Sequence, residues 1–423
     1  MLTSICGINW GDEGKGRMVD LLSSDYDVVC RYQGGNNAGH TVINERGKFI
    51  LNLLPSGILR EDVVNVLGCG MVIDLKHLTE EMGRLREAGV KITPENLKIS
   101  DKAVITMPYH VRLDCLEEER LADKKFGSTR RGIAPVYSDK YMKKAFRMGE
   151  LFHEELLKER VKDIVEWKNL SVVGGYRSEP VTVEETLAYF KQYGEPLKPF
   201  VTDTGLYLDK AHKEGKKIMF EAQLGALRDI DFGIYPYTSS SSTIAAYAPI
   251  GAGVPNLKLD KSIGIMKAYS TCVGEGPFTA EYFGEKAEKL REAGGEYGAA
   301  TGRPRRVGPF DAVASAYGIR CQGADEIALT KLDVLSGMEE LEICTSYELN
   351  GKIIHDFPFP DVLTECKPVF EKVKGWNCDI SACRRAEDLP KEALDYIRML
   401  EKLCNCKITY VSVGAERDAY VKL

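Results

Sequence analysis

Gly11-Asp12-Glu13-Gly14-Lys15-Gly16 has the residue types needed to hold a polyphosphate. Its glycines let backbone N–H groups close on an anion, a helix start just beyond favours negative charge, and Lys15 adds a mobile cation. The stretch departs from a Walker A loop, because Asn9 stands where the first glycine belongs and Gly16 replaces the Ser or Thr that holds Mg²⁺. Another group must then hold the metal. Asp12 lies inside the cradle and is the candidate, since a hard cation beside phosphates prefers carboxylate oxygen.

A second loop, Gln33 to Thr41, offers amides and one imidazole, that of His40. This histidine either donates to a transferring phosphoryl group or serves as a structural hydrogen-bonding residue. Thr330-Lys331-Leu332-Asp333 fits guanine reading, because one carboxylate can accept from both N1–H and the 2-amino group. Arg303, Arg305 and Arg306 crowd a turn flanked by Gly298, Gly302 and Gly308. Such forks suit a carboxylate or phosphate on a closing loop; the alternative is a solvated basic turn. Gly127-Ser128-Thr129 is a further phosphate candidate or an ordinary turn, Ser239 to Ser242 is a hydroxyl-rich loop beside Tyr235-Pro236, and Ser412-Val413-Gly414 closes a strand.

These loops need a rigid frame. Buried-strand patterns occur at 2–8, 27–32, 63–67, 171–173, 217–220, 263–266 and 326–330, with helical patterns at 17–22, 75–87, 182–192 and 311–317. The alternation predicts an α/β fold, with a large mainly parallel central sheet flanked by helices and ligands beyond the carboxyl ends of the strands. Residues 117–166 are charged and helix-rich, part of a helical excursion at about 100–200, and no linker divides residues 1–423, so one elaborated domain is expected. A net charge of −6 argues against general affinity for nucleic acid or anionic membrane. Neither a signal peptide nor a membrane-spanning run is found, so a cytoplasmic protein is expected. Twelve scattered cysteines without paired CxxC blocks point to reduced, mostly buried thiols.

Six segments together resemble adenylosuccinate synthetase, and the likeness covers almost the whole chain: Trp10 to Gly16, Gly35 to Thr41, Asp229-Ile230-Asp231, Lys267 to Thr271, Thr301-Gly302-Arg303 with Arg305-Arg306, and Thr330 to Leu335. The resemblance implies GTP-dependent ligation of L-aspartate to IMP in purine biosynthesis, a P-loop-like GTPase-related architecture of nine or ten sheet strands, one Mg²⁺ per subunit and a homodimer. Asp12 would take the N1 proton of IMP and hold Mg²⁺ with the Gly39 carbonyl, while His40 would act as the acid. GTP would meet Gly11, Asp12, Glu13, Gly14, Lys15, Gly16 and Arg17, then Gly39, His40 and Thr41, then Arg305, Lys331, Leu332, Asp333, Ser412, Val413 and Gly414. IMP would meet Asp12 to Lys15, Asn37, Ala38, Gly39, His40, Thr129, Gln223 or Leu224, Ser239 and Arg303, with Lys143 from the partner subunit. Aspartate would be closed in by Ala299, Ala300, Thr301, Gly302, Arg303, Pro304 and Arg305.

Some positions depart from the family pattern. Its Phe-Glu-Gly-Ala-Gln-Gly reads Phe220-Glu221-Ala222-Gln223-Leu224-Gly225, so the IMP-binding glutamine falls on Leu224. The family's threonine that binds the IMP phosphate falls on Ser239, its arginine contributed by the partner subunit on Lys143, the arginine of Thr-Arg-Val-Gly on Cys272, and the first threonine of Thr-Thr-Gly-Arg on Ala300. A paralogue using GMP, dGMP or another amino donor is therefore an alternative, as is a GTP-binding regulatory protein without ligase activity.

Overall fold

The computed structural model describes residues 1–44, 46–298 and 302–423. Its frame is a ten-stranded sheet, labelled in chain order β1 (Leu2–Gly7), β2 (Val28–Arg31), β3 (Val64–Leu67), β4 (Leu97–Ser100), β5 (Val201–Thr202), β6 (Ile218–Glu221), β7 (Lys261–Lys267), β8 (Glu326–Thr330), β9 (Ile408–Ser412) and β10 (Tyr420–Lys422). The spatial order is β10-β9-β8-β7-β1-β6-β2-β3-β4-β5. All neighbours pair in parallel except β10, which runs antiparallel to β9 at one edge. Every residue of β1, β2 and β6 is buried, as expected for parallel strands covered on both faces.

Because nine strands point one way, the segments after β1, β2, β6, β7, β8 and β9 emerge along one edge of the sheet. That edge is where an open parallel sheet binds ligands. Helix α1 (Lys15–Leu22) follows the first loop directly, with Gly14 at its N-cap in the left-handed region at φ 97°. Helix α2 (Leu75–Glu87) precedes the helical excursion, most of which is carried by α3 (Pro108–Leu121), α4 (Ile133–Met142) and α5 (Glu154–Asn169).

One expected strand is absent. Residues 171–173 lie in a π-helical turn, Leu170–Gly175, that continues α5. Its apolar run is too short to reveal its period, and burying Val172 within the helical core meets its hydrophobic demand without sheet pairing. The helix expected at 182–192 is split into Val183–Tyr189 and a π turn, Phe190–Gly194, and the one expected at 311–317 extends over Ala312–Gln322. All twelve cysteines are free; Cys6, Cys30, Cys272, Cys344, Cys366 and Cys404 are buried. Among the described residues no helix is long and apolar enough to cross a membrane.

Candidate active site

The first loop is built around a buried carboxylate. Glu13 Oε1 accepts the N–H groups of Asn9 and Gly11 at 3.1 and 2.8 Å, and Oε2 meets Lys15 Nζ at 2.5 Å. The Glu13 side chain is therefore spent inside the loop, holding it curved and Lys15 in place. Gly7 and Gly225 permit the close approach of the loop after β6: a Cβ on Gly7 would lie 2.2 Å from the Leu224 carbonyl, and one on Gly225 2.2 Å from that of Asn9. On the other side, Thr330 Oγ1 donates to the Glu13 carbonyl at 2.6 Å, tying the loop to the end of β8. Asp12 has a left-handed backbone at φ 58°, and its carboxylate meets Arg305 Nη2 at 3.0 Å. Gly16 has a steric reason: a Cβ there would lie 2.6 Å from the Cβ of His40. The place of a Walker A hydroxyl is thus filled by the proposed acid.

His40 begins a hairpin, His40–Asn44 with Gly47–Leu51, that projects from the end of β2. Its Nδ1 lies 2.5 Å from Glu221 Oε1 at the end of β6. Glu221 also accepts from Ser56 N at 2.8 Å and Ser56 Oγ at 2.7 Å. Burial holds the His40 pKa below its ordinary 6.5 despite the Glu221 hydrogen bond. Burial would raise Glu221, but His40, Arg31 and Ser56 together bring it below the usual carboxylate value. The ionised Glu221 fixes the proton of a neutral His40 on Nδ1, and buried Nε2 has no protein hydrogen-bond partner. That nitrogen is an acceptor while the ring is neutral and becomes a donor once protonated.

Beyond β8, Lys331 is left-handed at φ 60° and its Nζ donates to the Gly294 carbonyl at 2.6 Å and to Glu296 at 2.9 Å. Asp333 Oδ1 is buried without a hydrogen-bond partner, and burial pushes its carboxyl up against the charges of Arg17 and Lys331. Arg17 bonds Ser412 Oγ and the carbonyls of Glu416 and Ala419, tying α1 to the segment after β9, where Ser412 to Gly414 lie. Glu296 is a hub absent from the expectations above. Fully buried, it pairs with Lys267 at 3.0 Å, Lys331 at 2.9 Å and Arg305 at 2.7 Å, and accepts from Tyr269 at 2.5 Å. Burial opposes its charge, yet these cations hold it well below the carboxylate range, while burial pushes Lys267 down to about 8. Glu296 thereby ties the guanine-type loop to Arg305, which also touches Asp12.

Arg306 turns away from this cluster, bonding Glu281 through Nε at 2.9 Å and the Gly276 carbonyl at 2.7 Å, so it braces the turn instead of presenting a fork. Gly308 is a packing glycine, since a Cβ would lie 2.1 Å from the Ala280 carbonyl, and it supplies no hinge. Arg303 is exposed, Pro304 bridges Tyr297, and Gly302 is left-handed at φ 64°. Ala299, Ala300 and Thr301 lie outside the described residues.

On the other flank, Asn37, Ala38 and Gly39 are half-buried before the hairpin, and Thr41 follows His40 within it. Gln223 is fully buried, its Nε2 donating to the Gly35 carbonyl at 2.7 Å. Leu224 adopts φ 58° and lies 3.3 Å (Cα) and 3.6 Å (Cδ2) from where a Gly11 Cβ would be, so leucine, not glutamine, borders the phosphate loop. In the 126–132 loop, Glu118 accepts the Phe126 and Gly127 N–H groups and Asp114 accepts Ser128 Oγ and Gly132 N–H. Those donors are committed to α3, and Thr129 is left exposed. Ser239 is half-buried on a loop that Asp229 anchors through the N–H groups of Asp231 and Thr243. Lys143 caps α4 in the left-handed region and is exposed, lining a cleft of about 530 Å³ with Lys140, Arg147 and Arg160.

Among the described residues no group of three or more His, Cys, Asp or Glu converges. Asp12 and the Gly39 carbonyl are hard oxygen donors that fit Mg²⁺, which characteristically completes its shell with phosphate oxygens and water.

The adenylosuccinate synthetase family model matches residues 4–421. An adenylosuccinate synthetase of Halothermothrix orenii is 45% identical over 419 residues, covering 99% of this chain and 97% of that protein. That of Caldanaerobacter subterraneus is 44% identical, covering 100% and 99%. The fully ligated adenylosuccinate synthetase structure from Plasmodium falciparum superposes with a TM-score of 0.93 at 36% identity, over 100% of this chain and 99% of that one. The cyanophage S-2L succinoaminodeoxyadenylate synthetase bound to dGMP and dATP has a TM-score of 0.61 at 18% identity, over 100% and 95%, a likeness of fold alone. With the phosphate loop, the guanine-type loop and the arginine turn on one sheet edge, the chain belongs to the adenylosuccinate synthetase family, the GTP-dependent ligases that join aspartate to IMP.

Proposed function

We propose that the family reaction runs here through Asp12 and His40. The observation that carries this reading is their convergence on the first loop, which carries Asp12 and meets His40 of the second: Arg305 touches Asp12, and Gly16 packs against His40. Asp12 takes the N1 proton of IMP, which raises electron density on O6. O6 then attacks the γ-phosphorus of GTP; the O6–P bond forms, the β–γ bridge breaks, and GDP leaves. The aspartate amino group next attacks C6 and phosphate departs from the 6-phosphoryl intermediate, giving adenylosuccinate after loss of the amine proton. His40, once protonated at Nε2 beside the triphosphate, donates to it, with Glu221 fixing the ring. Mg²⁺, one per subunit, would be held by Asp12 and Gly39, and when bound it neutralises charge on the phosphate oxygens.

Lys15, Gly11 to Arg17 and Gly39 to Thr41 cradle the phosphates, while Lys331 to Asp333, Arg305 and Ser412 to Gly414 take the guanosine end. Asn37 to His40, Thr129, Ser239, Leu224 and Arg303 border IMP, and the loop from Ala299 to Arg305 closes on aspartate. Lys143 acts across a homodimer interface, a reading supported by the exposed Tyr141 and Met142 beside it. The whole chain acts as one catalytic domain in the cytoplasm. The test is product absorbance with GTP, IMP, aspartate and Mg²⁺ together and each omitted in turn: product should require all four. A second reading, a different 6-oxopurine such as GMP or dGMP, is favoured by one observation, the apolar Leu224 beside Gly11 with Gln223 turned into the wall. Turnover of IMP, GMP and dGMP compared at equal concentration decides between them.

A further inference from the structure

Arg228 closes the short turn Ala226–Arg228 that follows the loop after β6, and it is only 9% exposed. Its Nη1 donates to the carbonyls of Tyr237 and, at 3.3 Å, Glu275. Its Nη2 donates to the Val273 carbonyl at 2.5 Å and lies 3.0 Å from Cys272 Sγ. Its own carbonyl accepts the Ser239 N–H at 2.8 Å.

These contacts join three loops. Tyr237 and Ser239 belong to the hydroxyl-rich loop, and Val273 to Glu275 form the turn after the strand Ser270–Cys272. That turn abuts the loop bearing Thr129, since a Cβ on Gly127 would lie 3.5 Å from Glu275 N and from Gly274 Cα. One guanidinium thus braces the supports of Ser239, which the resemblance puts at the IMP phosphate, and of Thr129, which it puts at IMP. A planar five-donor fork can bind several carbonyls at fixed angles, which a lysine ammonium cannot reproduce. Position 272 is where the family pattern Thr-Arg-Val-Gly carries arginine, and here the side chain is a small thiol in contact with Arg228.

We propose that Arg228 is a positioning residue for the phosphate end of the IMP site, supplying from the opposite loop the guanidinium that position 272 lacks. The proposal rests on Ser239 and Thr129 being that phosphate end. The test is a double-mutant cycle, Arg228→Leu, Cys272→Arg and both together, read as KM for each substrate. Arg228→Leu should raise the KM for IMP about tenfold, the scale of losing charge-assisted hydrogen bonds, with KM for GTP within about twofold. Cys272→Arg alone crowds two guanidinia into one buried place and should also raise it. The double variant should bind IMP better than either single variant, a reversal that no merely structural loss produces. It also stays informative if Arg228→Leu alone fails to fold, because the second arginine should then restore folding and IMP use together. A double variant no better than the worse single one overturns the proposal, as does an unchanged KM for IMP in Arg228→Leu. Ser239→Ala separates the two ideas. An unchanged KM for IMP there refutes the phosphate-end reading itself, whereas a raised KM with Arg228→Leu unaffected refutes only the role of Arg228.

Discussion

Asp12 is asked to do two things, and a near-isosteric replacement separates shape from chemistry. Asn keeps the volume but takes no proton and is a weaker ligand for a hard cation, so Asp12→Asn should fold normally and lose more than the roughly 10²–10⁴-fold of one acid–base group. Activity above about a tenth of the parent's would exclude Asp12 as the base. The unpartnered Asp333 Oδ1 makes a similar argument for the nucleotide. Asp333→Asn should weaken GTP use by about 1–3 kcal/mol and improve relative use of XTP, whose 2-carbonyl accepts from the asparagine amide where guanine's 2-amino group donates to the aspartate. An unmutated chain that uses ATP and GTP equally would remove Asp333 from the site. His40 lends itself to a stability measurement. Its pKa is depressed in the folded chain, so the folded state binds fewer protons than the unfolded one just below pH 6.5. Stability from keeping it neutral is present above that pH and is lost as pH falls through the folded value. His40→Asn lacks this loss, so the Tm gap between parent and variant should narrow on going from pH 7.5 to 5. A constant gap would show that burial does not control this histidine.

Elements explain why some of the site could be foreseen and some could not. The loops after β1, β2 and β8 carry glycine, amide and Lys-Leu-Asp patterns whose chemistry is local, so they are readable from residues alone. Glu221 and Glu296 are not, because their work is done with partners far along the chain: Ser56 for one, Lys267 and Lys331 for the other. Glu221 at least sat inside a recognised motif. Glu296, just before a glycine-flanked arginine turn, left no signal beyond its position. The strands β4 and β5 are hidden for a different reason. Leu97–Ser100 mixes lysine and serine into its run, and Val201–Thr202 is two residues long, so sheet pairing and not pattern defines them. Packing between elements also accounts for Gly16, which sequence alone marked only as a missing Walker A hydroxyl. Since His40 is pinned by Glu221 and cannot yield freely, Gly16→Ser should not recover a metal ligand. It should displace the ring and cost about 1–3 kcal/mol in stability, with kcat falling more than KM for IMP. Near-parental kcat in Gly16→Ser would show that the hairpin moves easily and that the close contact is unimportant.

At the scale of the whole molecule, the question is whether one chain completes its own site. Lys143 ends α4 on the surface of the helical excursion, with Tyr141 at 74% and Met142 at 54% exposure beside it. The resemblance puts it where the family has an arginine from the partner subunit, and on the proposed reading an ammonium serves there as a point charge without bidentate geometry. Loss of one charge-assisted hydrogen bond, about 1.5–3 kcal/mol, should raise the KM for IMP roughly ten- to a hundredfold in Lys143→Ala while leaving that for GTP nearly unchanged. Mixing subunits gives the sharper result. Lys143→Ala and Asp12→Asn homodimers should each be impaired, but in the heterodimer the Lys143→Ala subunit keeps its Asp12 and receives Lys143 from its partner. One intact site per heterodimer, with heterodimers half of a random mixture, predicts about a quarter of parental activity at limiting IMP. Once exchange is established by mass, a mixture no more active than its components refutes a shared site, and full activity in a demonstrably monomeric form refutes the need for a partner at all.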